Sequence, residues 1–173
     1  TNIFSKKFYV ETCDGKNSFK QTFYDNMIRK DEPIIKKSKE KQYTLIKYIP
    51  DYAKFKIEGL SDNMIKLMEK RTYDVAAFTN SAKISFNGEQ LKIKSFKDYI
   101  NMYIDDDTEN YYEKINNRWE VGICLNDDQV FEPISFVNGI NTNKGGKHID
   151  YVVNQVTKKL SEFITKKKKM TIK

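Results

Sequence analysis

Hydrophobic and polar residues alternate along the first stretch of the chain, where Phe8, Val10 and Thr12 interleave with Tyr9, Glu11 and Cys13. A period of two is the signature of a half-buried strand. The turn-forming "DGKN" follows, and a second alternating run around Phe19, Gln21 and Phe23 completes an expected antiparallel hairpin. The opening "TNIFSKKFYV" reads as the interior of a helix running into the first strand. A polar, lysine-rich connection containing Pro33 leads to "YTLIKYIP", a third strand stopped by Pro50, since proline cannot donate to a ladder. Ser61 can then cap a helix whose apolar positions Ile65, Met68, Thr72, Val75 and Phe78 recur at helical spacing, widened by Met64 and Leu67. That stripe is expected to pack on the sheet.

"KISFNGEQLKI" predicts a hairpin, because Asn87-Gly88 supplies the positive φ angles of a two-residue type I′ turn. Ser95, with Asp98 three residues later, resembles a capping box opening a short helix with Tyr99, Ile100 and Tyr103 along its apolar side. The acidic "DDDTEN" ends it. Two strands follow, "NRWEVGICL" and "FEPISFVNGI", joined through "NDDQ". From His148, the positions Ile149, Val152, Val153, Val156, Leu160, Phe163 and Ile164 share one face of a helix of about 18 residues, which should lie against a sheet. There are no internal repeats and no long Gly/Ser linker, so a domain boundary must fall in a short connection, near Lys94 to Ser95.

Composition narrows the picture. A hydrophobic fraction of 39% with 13% aromatics suffices for a core within 173 residues and argues against general disorder. No apolar run approaches the roughly 20 residues a bilayer span needs, so no membrane partner is expected. The first residue is Thr1, and the chain reads as a segment of a longer polypeptide. Cys13 and Cys124 lie far apart without CxxC spacing, which fits a reducing compartment and suggests neither a disulfide framework nor a zinc site. All but three of the 31 basic residues are lysine, the exceptions being Arg29, Arg71 and Arg118. Nearly all of the net charge of +7 gathers between Lys158 and Lys173, where seven lysines face Glu162 alone. A polyanion would be met there. The alternative is a solvated helix end that the helix dipole favours on its own.

The stretch "FVNGINTNKGGKHIDYVV" offers candidate chemistry. It lacks both GxxxxGK[ST] and GxGxxG, so neither a Walker loop nor a dinucleotide fingerprint is present. Gly145-Gly146 before a helix could hold an anion on backbone amides, or simply let the chain reverse tightly. His148 as a general base would need an orienting partner, and Asp150 points to a different side of the helix. A structural, hydrogen-bonding histidine is the simpler reading. Asp105, Asp106, Asp107 and Glu109 could be taken for a metal cluster, but consecutive carboxylates in a loop are ordinarily solvated.

"INNRWEVGICLNDDQVFEPISFVNGINTNKGGKHIDYVVNQVTKKLSEF", Ile115 to Phe163, closely resembles the ATPase region of eukaryotic-type type IIA DNA topoisomerases, whose pattern runs NxRWEV and then SFVNxIxTxxGGxHVxY. "TNIFSKKFYVET", "FKQTFYDNM" and "DYAKFKIEGL" resemble the same family in the same order, so the likeness covers essentially the whole chain. It implies an α+β fold comprising the C-terminal half of a GHKL (Bergerat) ATPase domain, residues 1–94, followed by the start of a ribosomal-protein-like transducer domain, residues 95–173. It also implies ATP and Mg2+ as cofactors of the full-length enzyme. Most of their ligands would lie outside this segment: the asparagine that holds magnesium and the aspartate that reads adenine upstream, and the glutamine-threonine-lysine loop downstream. Thr44 falls where the family has a threonine on the strand under the adenine pocket. Lys166, Lys167, Lys168 and Lys169 fall where the family has a lysine-rich loop facing the transported duplex, so double-stranded DNA is the implied partner. The implied assembly is a homodimeric clamp, in the nucleus, or in a host cell or virion if the source is viral. The alternative is a non-enzymatic nucleic-acid-binding α/β module that uses the same C-terminal lysines.

Overall fold

The computed structural model describes residues 1–79, 81–105, 107–126, 128 and 130–168, with backbone only at position 168. It resolves into two compact units, Thr1–Asp62 and Asn63–Lys173.

The first unit is an antiparallel sheet. After a single 3-10 turn at Asn2–Phe4, strands β1 (Ser5–Cys13) and β2 (Asn17–Tyr24) form the expected hairpin. Asp14 closes it: its Oδ1 accepts from the amides of Lys16 at 2.8 Å and Asn17 at 2.6 Å, while Gly15 takes φ +86°. Two short strands, β3 (Arg29–Lys30) and β4 (Ile34–Lys37), share the outer edge of β2, and β5 (Tyr43–Pro50) pairs on the far side of β1. The expected lysine-rich connection is therefore strand in two places. The residues of both strands are all exposed, so no buried-face alternation marks them. The opening helix of the expectation shrinks to that one 3-10 turn.

Register sorts the side chains. Phe8 opposes Phe23 and Tyr48, Val10 opposes Gln21 and Ile46, and Thr12 opposes Phe19 and Thr44, so these residues share one mainly apolar face. Tyr9, Glu11, Cys13, Lys20 and Tyr43 take the other. There Glu11 accepts from the hydroxyls of Tyr9 and Tyr43 and pairs with Lys20 at 2.9 Å. The bond from Tyr43, followed by those from Tyr9 and Lys20, pulls the Glu11 carboxyl down to about 2.

The second unit starts with helix α1 (Asp62–Phe78), directly after Ser61. Its buried residues are Asp74, Ala76 and Ala77, whereas Ile65, Met68, Val75 and Phe78 keep about 40% of their surface exposed. The helix is where periodicity placed it, but its apolar stripe is not its buried face. Of α1 itself, only the C-terminal end is buried among the described residues. Hairpin β6 (Ser85–Phe86) to β7 (Glu89–Gln90) turns at Asn87 and Gly88, with φ of 50° and 85° as a type I′ turn requires. Helix α2 (Phe96–Ile100) carries the forward half of the expected capping box, Ser95 Oγ accepting from the Asp98 amide at 3.2 Å, while Asp98 Oδ2 reaches back to the amide of Lys94, one residue before the cap, at 2.9 Å.

The next pairing departs from expectation. Strand β9 (Trp119–Cys124) pairs backward with β8 (Asn110–Asn116), not forward with the "FEPISFVNGI" run. That run contributes only β10 (Phe136–Val137), which turns at Asn138-Gly139 into β11 (Ile140–Asn141). Its Pro133 lacks the donor a ladder needs. Helix α3 (Lys147–Lys168) runs 22 residues, longer than periodicity predicts, and continues through the lysines. Ile149, Val152, Val153 and Val156 are half-buried, and Trp119 meets Tyr151 with ring centroids 6.0 Å apart. Leu160 and Phe163 are 55% exposed while Ile164 is half-buried, so the apolar face is covered unevenly over its second half.

Candidate functional site

Thr44 sits near the start of β5, opposite Thr12, on the sheet face that also bears Ile46 and Tyr48. Its side chain is exposed beside a shallow depression lined by Cys13, Asp14, Gln42, Tyr43 and Thr44. One hydroxyl at the rim of an apolar sheet face can donate to or accept from a flat heterocycle, directly or through water. It cannot hold a triphosphate. Among the described residues no cluster of three or more His, Cys, Asp or Glu suits a metal ion.

The glycine corner is built around His148. Its Nε2 lies 3.0 Å from Thr142 Oγ1 and 3.2 Å from Ser135 Oγ, and those two hydroxyls also bond one another. Gly145 (φ +75°) donates its amide to the Thr142 carbonyl at 2.9 Å. Gly146 (φ +152°) accepts from the amides of Ile149 and Asp150, which starts α3. A Cβ on Gly146 would stand 3.0 Å from the imidazole ring. The corner thus needs glycine both for its backbone and for the close approach of the histidine. The histidine ties helix start to hairpin by hydrogen bonds, and its ring nitrogen Nε2 engages hydroxyls rather than a carboxylate.

Helix α3 carries the lysines away from this corner. At 1.5 Å per residue its 22 residues span about 33 Å. Lys166 and Lys167 are exposed in its final turn, and the Lys167 ammonium lies 4.9 Å from the Phe163 ring centroid. Lys168 ends the helix, and Lys169 lies outside the described residues. Three of the four lysines are therefore helical rather than in a loop. The negative end of the helix dipole favours cations at this position. Thr44 belongs to the first unit and the lysines to the second.

Pattern reading missed the best-organised polar cluster of the second unit. Asp74 of α1 is fully buried, and Tyr99 of α2 is 2% exposed. Tyr99 donates its hydroxyl proton to Asp74 Oδ1 at 2.7 Å, so the 2.8 Å contact between the Tyr99 and Tyr103 hydroxyls must be donated by Tyr103. Lys70 reaches Asp74 Oδ1 at 2.9 Å and Arg71 reaches Oδ2 at 3.0 Å. Burial pushes the Asp74 carboxyl up, but the bonds from Tyr99 and Lys70 outweigh it and hold the group below the ordinary carboxylate range. Around the phenol, Phe78, Phe96, Tyr103 and Phe136 complete an aromatic cluster. The available signal was Lys70, Arg71 and Asp74 at i, i+1 and i+4 on one helix, which reads equally well as a solvated ion pair.

The DNA gyrase B family model matches residues 90–173. DNA topoisomerase 2 of Bombyx mori is 48% identical over 97% of this chain. The ATPase region of Saccharomyces cerevisiae topoisomerase II superposes on 95% of the chain with a TM-score of 0.82 at 36% identity, and the match spans 44% of that structure's chain. The ATPase and transducer domains of DNA topoisomerase II from Balamuthia mandrillaris superpose equally, with a TM-score of 0.82 at 34% identity, over 95% of this chain and 43% of theirs. The chain spans 11% of the length of the Bombyx relative. Its mixed α and β fold is that of the topoisomerase II ATPase region. Over nearly the whole chain, in sequence and in fold together, the protein resembles part of the ATPase region of DNA topoisomerase II.

Proposed function

We propose that this chain is a segment of an ATP-dependent type II DNA topoisomerase, which changes DNA topology by passing one duplex through a transient double-strand break. The observation that carries the reading is the joint match of the RWEV and GGKH motifs and of the fold across 95% of the chain. On this reading residues 1–94 complete a GHKL ATPase domain and residues 95–173 begin the transducer. The polypeptide binds ATP with Mg2+, dimerises on nucleotide binding, and closes around one DNA duplex in the nucleus, or in a host cell or virion if the source is viral. Thr44 supplies one contact to the adenine side of the nucleotide. The remaining ligands belong to other parts of the polypeptide.

Lys166, Lys167, Lys168 and Lys169 meet DNA phosphates. Flexible ammonium groups neutralise phosphate without reading base edges, which suits the passage of any sequence. Helix α3 sets Lys166 to Lys168 about 27–30 Å from His148, so the framework that orients the helix is separate from the surface that meets DNA. The test is ATP hydrolysis by the intact polypeptide with and without duplex DNA, alongside decatenation of linked circles. DNA-stimulated hydrolysis with decatenation is expected from the intact polypeptide, and neither from the 173 residues alone. ATP turnover by the 173 residues alone would refute this division of parts.

A further inference from the structure

Helix α2 is only five residues long, yet besides its ring contacts with Phe136 of β10 it meets α1 and the β8–β9 hairpin through two different kinds of contact. Toward α1 it presents Tyr99, whose hydroxyl is bound to the fully buried Asp74. Toward the β8–β9 hairpin it presents Ile100, whose side chain occupies the space a Cβ would take on Gly122: a Cβ there would lie 2.7 Å from Ile100 Cδ1. Lys97 reinforces that seat, its ammonium standing 5.8 Å from the ring centroid of Tyr112, the residue paired with Gly122. The capping bonds of Ser95 and Asp98 fix where this short helix begins. A helix too short to be stable alone is thus held from both sides.

We propose that Asp74, Tyr99, Ile100 and Gly122 form a mechanical joint, in which α2 carries displacement of α1 into the β8–β9 hairpin, with Asp74 and Tyr99 as positioning residues for coupling ATP turnover to duplex passage. This rests on the topoisomerase reading and on its division near residues 94 and 95, which puts α1 on the ATPase side and α2 on the transducer side. A buried carboxylate bond is directional and resists sliding. A side chain seated on a bare glycine transmits compression with no soft layer between.

The test uses the intact polypeptide and measures DNA-stimulated ATP hydrolysis and duplexes passed per ATP hydrolysed. Tyr99→Phe and Asp74→Asn are expected to leave the KM for ATP unchanged and to lower passages per ATP about fivefold or more, within the range of measured couplings between sites. Gly122→Ala should uncouple in the same way by unseating Ile100. The double variant Gly122→Ala with Ile100→Val should regain coupling, because valine lacks the δ-methyl that collides. This second pair decides the matter if the Asp74 and Tyr99 variants fail to fold. A wild type active in both assays, whose folded variants keep full passage per ATP, would overturn the joint alone. A wild type without DNA-stimulated hydrolysis would overturn the topoisomerase reading, and the coupling role with it.

Discussion

Replacing Asp74 with alanine removes the carboxylate that Tyr99, Lys70 and Arg71 share, and the cost follows from how each partner is placed. The phenol of Tyr99 is 2% exposed, so its bond to the carboxylate is not replaced by bulk water; a hydrogen bond to a charged group contributes about 1.5–3 kcal/mol. The side chains of Lys70 and Arg71 are 43% and 45% exposed, and they resolvate when the carboxylate goes. Screened pairs of that kind contribute only a few tenths of a kcal/mol to about 1 kcal/mol each. Relief of the buried charge offsets part of the loss. The net expectation is about 2–3 kcal/mol for Asp74→Ala, and about 1 kcal/mol for Asp74→Asn, which keeps an acceptor for Tyr99. The assay is amide hydrogen exchange over α2 in the intact polypeptide, because local opening is resolved there even where global unfolding is not two-state. About 2 kcal/mol corresponds to roughly a thirtyfold loss of protection. A double-mutant cycle with Tyr99→Phe should show coupling of about 1 kcal/mol or more. Protection in Asp74→Ala within about threefold of wild type, a shift well under 1 kcal/mol, would refute the account.

Three other expectations follow from the geometry. Glu11 is held down at about 2 in the folded sheet against an ordinary value of 4.5, so its stabilising contribution is complete above 4.5 and is lost as pH falls toward about 2. Denaturation midpoints measured across that window should fall with pH in the wild type and flatten in Glu11→Gln; parallel curves would remove the Glu11 cluster from the acid response. Gly146→Val should cost about 3 kcal/mol or more, combining strain at φ +152° with displacement of His148 from its hydroxyl partners. Protection at the start of α3 reads that loss, while nucleotide affinity of the intact polypeptide should stay unchanged, and its disappearance in a folded variant would show the corner to be more than structural. Removing Lys166 and Lys167 together should flatten the log–log salt dependence of DNA binding by about 0.9 for each phosphate no longer neutralised, and an unchanged slope would place the DNA elsewhere.

Local signals were legible where a few neighbouring residues decide the outcome. Strand alternation found β1, β2 and β5; Asn87-Gly88 found its hairpin; Ser95 and Asp98 found their helix start. The two glycines and His148 were correctly read as a corner, since no spacing rule for phosphate or acid–base chemistry was met. Edge strands β3 and β4 escaped because every residue in them is exposed, leaving no periodicity to read. Strand β8 escaped because Asn110 to Asn116 is mostly polar and acquires its identity only from its partner. Of the candidate site, Thr44 was proposed through family likeness and the lysines stood out by charge before that likeness gave them a role, whereas the Asp74 cluster had no motif to betray it.

By itself the sequence determined most of the local elements, the chain reversals and, through two long motifs, the family likeness. Each of these depends on backbone hydrogen bonding and dihedral preference within a few residues, or on residue identity alone. Tertiary structure decided which side of α1 is buried, that β9 pairs backward with β8, that His148 binds Ser135 and Thr142, and that Ile100 rests on Gly122. Those outcomes depend on which surfaces meet across tens of residues. One carboxylate of α1 is fully buried under a tyrosine from another helix, while the apolar positions Ile65, Met68 and Val75 of the same helix keep about 40% of their surface exposed.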